Sequence, residues 1–409
     1  MEFMTDLHIH SKHSRATSKS LDLANLEKWA KVKGVDVLGT GDFTHPEWIK
    51  ELRNNLEEQD GILKTKTGFP FIWQTEISLI YTQDGKGRRI HLVILAPNYE
   101  VVSQITDYLK SKGRVDYDGR PIFGINCIEF TEKLMSISKD IEIIPAHAWT
   151  PWFGILGSKG GFDTLEEAFQ DQVKHIHAIE TGLSSDPEMN WRYSKMDKYA
   201  LLSFSDLHSF WPWRLGREAT VFDLPQLSYN DIIKGIRKKT FKETIEVDPN
   251  YGKYHLDGHR KCDVCLEPRE SNKNNKICPK CNRELTIGVL NRVEELADRK
   301  EGQKPKDWIP FKRLLPLSEL ISGVFGIGLN TKTAWTEYWK LVKAFENENN
   351  ILLKVSYDQL KKLTHEKLAQ AIIDNREGRI KIKPGYDGEY GEPVLEKIYI
   401  PKQKNLAEF

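Results

Sequence analysis

Along the first 246 residues, short apolar runs rich in β-branched side chains alternate with segments whose apolar positions recur every three or four residues. The runs Thr5–His10, Val35–Thr40, Phe71–Glu76, Ile90–Ala96, Ile141–His147, Ile176–Glu180 and Ala200–Asp206 read as strands. Between them, Leu21–Lys33 places Leu23, Leu26 and Ala30 on one helical face and stops at Gly34, a residue suited to a left-handed helix end. Pro46–Gln59 and Tyr99–Lys112 carry the same periodicity. Leu79–Arg89 does not, and its Gln83-Asp-Gly-Lys-Gly87 predicts a hairpin turn. Seven such strands with mostly helical connections predict an α/β fold, a distorted seven-stranded βα barrel. In a barrel the loops at the strand ends converge on one face. An open doubly wound sheet is the alternative, and it would gather only some of them.

The pattern then changes. Residues 1–246 form the expected barrel, 247–289 a cysteine-bearing module, 290–375 a helical domain, and 376–409 a small end segment with a tail. Leu314–Gly328 contains a helix and a glycine turn, and Thr331–Asn347 sets Trp335, Tyr338, Trp339 and Val342 on one face. Phe325-Gly-Ile-Gly328 fits a core-packing turn better than a phosphate-binding hairpin. Gly378–Pro393 suggests a strand pair before an exposed tail.

A composition of 39% hydrophobic and 29% charged residues is that of a globular protein, and no stretch has the apolar length of a membrane span. Neither a basic leader nor an apolar signal core opens the chain, so a cytoplasmic protein without a membrane partner is expected. The net charge of +1 leaves any nucleic-acid surface to local clusters.

Chemistry enters at Asp6-Leu-His-Ile-His-Ser11. His8 and His10, spaced i, i+2 on a strand, point the same way and can grip one metal ion. Alone, the pair would also fit a polar strand edge. Later strand ends repeat the chemistry: Asp42, Glu76, His91, His147, and Asp206 with His208 in the same i, i+2 spacing. Together they predict a multinuclear centre of two or three divalent ions (zinc, magnesium or manganese). His8, His10, Glu76 and Asp206 carry the chemistry, and Glu76 is the best bridge because a carboxylate can hold two metals. Glu180 is expected behind a ligand or facing substrate.

Four of the five cysteines form a second unit. Cys262-Asp-Val-Cys265, twelve residues, then Cys278-Pro-Lys-Cys281 predicts a zinc ribbon, a tetrahedral structural zinc held by all four cysteines, with disulfides as the alternative. Arg260 and Lys261 lead a basic set around it that is suited either to phosphate or to a solvated surface. Trp149, Trp152, Phe153, Trp211 and Trp213 cluster beside His147 and His208 in sequence, where they could pack the barrel or stack on an unpaired base. Lys159, in the loop Gly157–Gly161, is placed to meet a phosphate.

His8-Ile-His10, Glu76, His91, His147 and Asp206-Leu-His208 resemble the metal motifs of the polymerase and histidinol phosphatase (PHP) superfamily. That likeness implies a distorted seven-stranded barrel with two or three metals. His147-Ala-Trp-Thr-Pro-Trp-Phe-Gly154, Gly160–Phe169, Glu180–Asn190 and Gly216-Arg-Glu218 resemble, more narrowly, the endonuclease Q family. The resemblance implies a DNA repair endonuclease that cuts 5′ to a deaminated base or abasic site, in single- or double-stranded DNA, leaving a 3′-hydroxyl and a 5′-phosphate. Arg217 is then a candidate DNA contact. A small-molecule phosphoesterase using the same metals is the alternative. The sequence departs from the superfamily at Thr40-Gly-Asp42, where many members have Thr-Asp-His; His13 is the nearest counterpart of a ligand that often follows the first pair.

The chain ends Gln403-Lys-Asn-Leu406-Ala-Glu-Phe409, similar to the Gln-x-x-Leu-x-x-Phe box with which partners dock on a sliding clamp. Leu406 and Phe409 would share one face of a helical turn, with Gln403 in a polar pocket. The second aromatic of that box is missing, and a chance match in a frayed terminus is the other reading.

Overall fold

In a computed structural model, residues 1–398 are described. The first strand, β1 (Glu2–Asp6), pairs in parallel with β2 (Val37–Gly39), through Thr5 and Val37, and β2 pairs in parallel with β3 (Pro70–Gln83). β3 turns back on β4 (Lys86–Ala96) through Asp84 and Gly85, both left-handed at φ 53° and 74°, which is the expected hairpin. β4 continues antiparallel into β5 (Glu142–Pro145). β6 (Ala178–Glu180) and β7 (Ala200–Leu202) form a separate parallel pair. On the other side of β1 runs β8 (Ala219–Asp223), antiparallel to it, and β9 (Glu243–Glu246) pairs antiparallel with β8.

The expected barrel is therefore corrected in its closure. The main sheet has eleven strands, mixed in direction, and among the described residues its ladder does not continue from β5 to β6 or from β7 to β1. Single contacts take its place: Ala148 N–H donates to the Glu180 carbonyl at 2.9 Å, and Ile9 bridges Leu207. Side chains still converge. Val37, Ile72, Val93, Leu95, Ile144, Ala178 and Leu202 form one inner cluster, while their neighbours Leu38, Phe71, Ile94, Ile143 and Ile179 face the helices. That is strand alternation read around a curled sheet.

The helix Leu23–Lys33 shows the local logic. Asp22 caps it by accepting from Asn25 N–H, Leu26 and Ala30 are buried, and Gly34 ends it at φ 90°. Its last residue reaches the helical domain. The Lys33 ammonium, almost fully buried, meets Glu348 at 2.6 Å and the Pro212 carbonyl at 2.8 Å; Tyr338 donates to the other Glu348 oxygen at 2.8 Å. Trp29, Trp211, Trp213, Trp335 and Trp339 pack around this joint. Lys33→Met, which strands a buried carboxylate, is expected to destabilise the chain by about 3–5 kcal/mol, and Lys33→Met with Glu348→Leu to recover much of it. Denaturant titration of the three proteins checks this.

Beyond β9, a hairpin of β10 (Asp257–His259) and β11 (Val264–Leu266) opens the cysteine module. Helices Leu317–Phe325, Lys332–Phe345, Glu348–Leu353 and Glu366–Arg376 build the helical region. In it, Gly326 at φ 64° ends the first of these helices. The following segment returns to the cysteine module, where the Tyr386 hydroxyl donates to Asp263 at 2.8 Å and Thr286 to Asp387 at 2.7 Å. No helix among the described residues is long and apolar enough to cross a membrane.

Candidate metal centre and its cavity

Strands and the loops that follow them deliver the ligands. His8 and His10 follow β1, Glu76 lies within β3, His91 within β4, His147 just past β5, and Asp206 and His208 after β7. His147 and Asp206, like Asp42, take left-handed backbone at φ 30°, 46° and 45°, a conformation that costs about 1–3 kcal/mol for a residue with a side chain. Such strain at three converging loops marks a built site.

Two groups of ligand atoms form. His8, His10, Glu76 and Asp206 bring one atom each within 4.8 Å of the others, as do Glu76, His91 and His147. Glu76 belongs to both. Its Oε2 lies 3.3 Å from His10 Nε2 and 3.6 Å from His8 Nε2, while Oε1 lies 2.7 Å from His91 Nδ1 and 3.4 Å from His147 Nε2. One carboxylate thus faces both ligand groups. His208 stands outside these groups, its Nδ1 paired with the Asp206 carbonyl at 2.9 Å and its ring 4.8 Å from that of His10.

The donor set fits divalent metals. His8 Nε2 is buried without a hydrogen-bond partner among the described residues. The opposite nitrogens are anchored: His8 Nδ1 on Glu180 at 2.9 Å, His10 Nδ1 on Asp42 at 3.0 Å, His147 Nδ1 on the Thr150 hydroxyl at 2.9 Å. Such anchoring fixes the tautomer that leaves Nε2 for an ion. It also corrects Asp42, expected as a ligand. Asp42 sits behind His10, its Oδ2 accepting from Ser11 N–H at 2.6 Å and from the Ser11 and Ser14 hydroxyls. Glu180 plays the same part behind His8 and accepts His147 N–H at 2.6 Å. His13 turns away and stacks on His45 at 4.2 Å.

Charge in the centre follows from packing. Burial opposes ionisation of Glu76 and Asp206, yet His91, Arg120 and His8 hold the first, and His208, His8 and His10 the second, well below the usual carboxylate range. Burial, helped by Arg120 and His147, pushes His91 down to about 4 against the pull of Glu76. Burial also opposes charge on His8 and His10, but Glu180, Glu76 and Asp206 around one, and Asp42, Asp206 and Glu76 around the other, raise both well above the ordinary imidazole value. A metal takes the neutral ring, so binding must expel these protons. Affinity for divalent ions is therefore expected to fall as pH drops. Calorimetry in buffers of different ionisation enthalpy should register the released protons.

Arg120 is absent from the sequence-based set, because no periodicity marks an arginine in a connecting loop. Its Nη1 donates to Glu76 Oε2 at 3.0 Å, and its own N–H is tied to Asp118 at 3.1 Å. Both line a cavity of about 710 Å³ that opens over His91, His147, Asp206 and His208. Trp152, Phe153, Tyr254 and Tyr390 supply its aromatic wall, with Trp152 edge-on to Tyr254 at 5.3 Å. Tyr254 and Tyr390 come from beyond residue 246, which sequence order could not bring to the barrel.

Other candidates divide. Arg217 and Trp152 line the cavity. Trp149 does not: it is buried in the core and donates to Asn190 at 2.7 Å, so its expected DNA contact is corrected to packing. Trp211 and Trp213 serve the joint described above. Lys159, Arg260 and Lys261 are exposed, Lys159 outside the cavity lining. Gln403, Leu406 and Phe409 lie outside the described residues.

The cysteine module also departs from expectation. Cys262, Cys278 and Cys281 gather with His259, not Cys265, all within 4.8 Å. The hairpin register explains it. Val264, opposite His259, turns into a small core with Cys278, Leu285 and Ile287, so its neighbour Cys265 points the other way and is exposed. His259 Nδ1 lies 3.2 Å from Cys281 Sγ. Burial would raise the Cys278 thiol, but the N–H groups of Lys280 and Cys281, with His259, bring it to about 6, ready to bind metal as thiolate. Three sulfurs and one imidazole fit a closed, structural zinc.

The MJ0043 C-terminal domain family matches residues 316–379. The MJ0043 protein of Methanocaldococcus jannaschii is 33% identical over 285 residues, 68% of this chain but 34% of that protein, so the chain spans about a third of that relative's length. The lesion-specific endonuclease PfuEndoQ of Pyrococcus furiosus superposes with a TM-score of 0.87 at 32% identity, covering 97% of this chain and 96% of that one. An endonuclease Q bound to a 27-mer duplex substrate, with an abasic lesion at its active site, gives the same TM-score of 0.87 and 32% identity over 97% of both chains.

Proposed function

The chain belongs to the endonuclease Q family, and on that footing we propose that it is a metal-dependent endodeoxyribonuclease of DNA repair. Its reaction is hydrolysis of the phosphodiester 5′ to a deaminated base (uracil, hypoxanthine or xanthine) or an abasic site, leaving a 3′-hydroxyl and a 5′-phosphate. The observation that carries this reading is Glu76, shared between two ligand groups whose His91, His147 and Asp206 line a cavity of about 710 Å³.

Each residue has a part in that chemistry. His8, His10, Glu76 and Asp206 would hold one ion, and Glu76, His91 and His147 a second. Divalent ions there polarise a phosphoryl oxygen and lower the pKa of a water. Glu180 and Asp42 keep His8 and His10 aimed. Arg120, beside Glu76, presents a guanidinium fork to the phosphate. Trp152 and Tyr254 offer faces to a nucleotide drawn out of the stack, the state a base-selective enzyme must bind. The basic, zinc-braced module around Arg260 and Lys261 supplies backbone contact.

A phosphate monoesterase would use the same ligands but has no need of an aromatic wall contributed by residues beyond 246. Incubating the metal-loaded protein with a uracil duplex, a matched undamaged duplex and p-nitrophenyl phosphate separates the readings. Nicking of the uracil duplex alone, abolished by chelator, is expected. Turnover of the monoester without nicking would replace this reading with the second.

A further inference from the structure

One wall of the cavity carries positive charge that the described chain does not neutralise. Arg217 is only 6% exposed. Its Nη2 donates to the Ser205 carbonyl at 3.0 Å, while Nε and Nη1 have no hydrogen-bond partner among the described residues. The adjacent carboxyl offers no countercharge: burial and Glu246 hold Glu218 well above the usual carboxylate range, and its Oε2 is likewise unpartnered. Arg214 repeats the pattern. Its Nη1 is buried and unpartnered among the described residues, and its guanidinium lies 5.4 Å from the Tyr390 ring centre. Lys253 approaches the same ring at 4.5 Å. Burial works to raise the Tyr390 phenol, yet Arg217, Arg214 and Lys253 hold it below its ordinary value, so their field is felt at the cavity. The nearby Glu319 is pushed up by burial against the opposing pull of Tyr251, Arg214 and Arg217.

A buried guanidinium without an anion is costly, and its planar fork fits phosphate. Arg217, Arg214, Lys253 and Tyr390 line the same cavity as Asp206 and His147. Ser205, which anchors Arg217, immediately precedes the ligand Asp206. We propose that Arg217, with Arg214 and Lys253, forms a second anion site that holds a backbone phosphate next to the scissile one. The proposal rests on the endonuclease reading above for its ligand, a nucleic-acid phosphodiester. Two phosphates gripped at once fix the register of the strand over the metal centre and favour polymer over monoester.

The test is a walk of single neutral methylphosphonates through the linkages either side of the scissile one, in otherwise identical uracil duplexes. Dissociation constants and nicking rates are measured for the full, metal-loaded chain as wild type, Arg217→Met, Arg217→Lys and Lys253→Ala. At one linkage the wild type is expected to lose about 10- to 100-fold in affinity. Arg217→Met should show that loss on ordinary DNA and lose nothing further at that linkage, and its salt slope should fall by about one. Arg217→Lys should regain part, and Lys253→Ala should show a smaller coupling to the same linkage. Independent, additive losses at every linkage for both Met and Ala variants would overturn the site. Coupled affinities without nicking by the wild type would keep the site and remove the endonuclease reading; nicking without coupling would do the reverse.

Discussion

Glu76→Ala is expected to lower nicking by at least about a thousandfold, roughly 4 kcal/mol in barrier terms, while duplex affinity stays within a few-fold. The size of the effect follows from position. Both Glu76 oxygens face ligand nitrogens, Oε2 toward His8 and His10 and Oε1 toward His91 and His147. Removing the carboxylate takes a ligand from each group and leaves the half-buried Arg120 without that partner. Asp206→Ala removes a ligand from one group only and is expected to cost at least about a hundredfold, near 3 kcal/mol. Affinity survives because neither side chain belongs to the aromatic or basic walls. Metal content by mass spectrometry should fall further in Glu76→Ala than in Asp206→Ala. Equal, near-native metal content and turnover in both would deny Glu76 its shared role.

The second large effect concerns the cysteine module. Cys278→Ser or His259→Ala is expected to release its zinc and unfold the module, because structural zinc contributes about 10–16 kcal/mol to units of this kind. Cys265→Ser should keep both zinc and fold, since Cys265 is exposed on the far side of the hairpin. The two outcomes discriminate a site of three thiolates and an imidazole from one of four thiolates. Loss of zinc from Cys265→Ser with retention in His259→Ala would restore the four-cysteine arrangement. Affinity for DNA should drop with the module, as Lys253 and Tyr254 approach the cavity from its base.

The places where sequence and structure part company have a common cause. His8, His10 and Asp206 are legible because strand alternation and strand-end position are local properties. Asp42 is not. A carboxylate at a strand end can face the metal or the back of a ligand, and here the left-handed Asp42 and the hydroxyls of Ser11 and Ser14 decide for the latter. Cys265 stands apart from the other three cysteines because a Cys-x-x-Cys pair is a pattern of spacing, whereas hairpin register decides which side chains gather, and here it sets His259 opposite Val264. Trp211 and Trp213 sit near His208 in sequence but pack against Trp335 of a helix more than a hundred residues later. Tyr390 reaches the cavity only because residues 385–391 fold back along the module, with Gly388 N–H donating to the Lys253 carbonyl at 2.9 Å. Apolar alternation locates the strands; the failure to close the ladder depends on pairing between distant segments, which periodicity does not encode.

The proposed endonuclease would cut DNA beside a lesion with its two ligand groups. The most direct test is a single-turnover assay on two end-labelled duplexes that differ only in one cytosine replaced by uracil, followed by extension and ligation of the products to identify their ends. One nick is expected, immediately 5′ to the uracil, with an extendable 3′-hydroxyl and a ligatable 5′-phosphate, and no nick in the undamaged duplex. Equal cutting of both duplexes, or a nick with other end groups, would contradict that proposal.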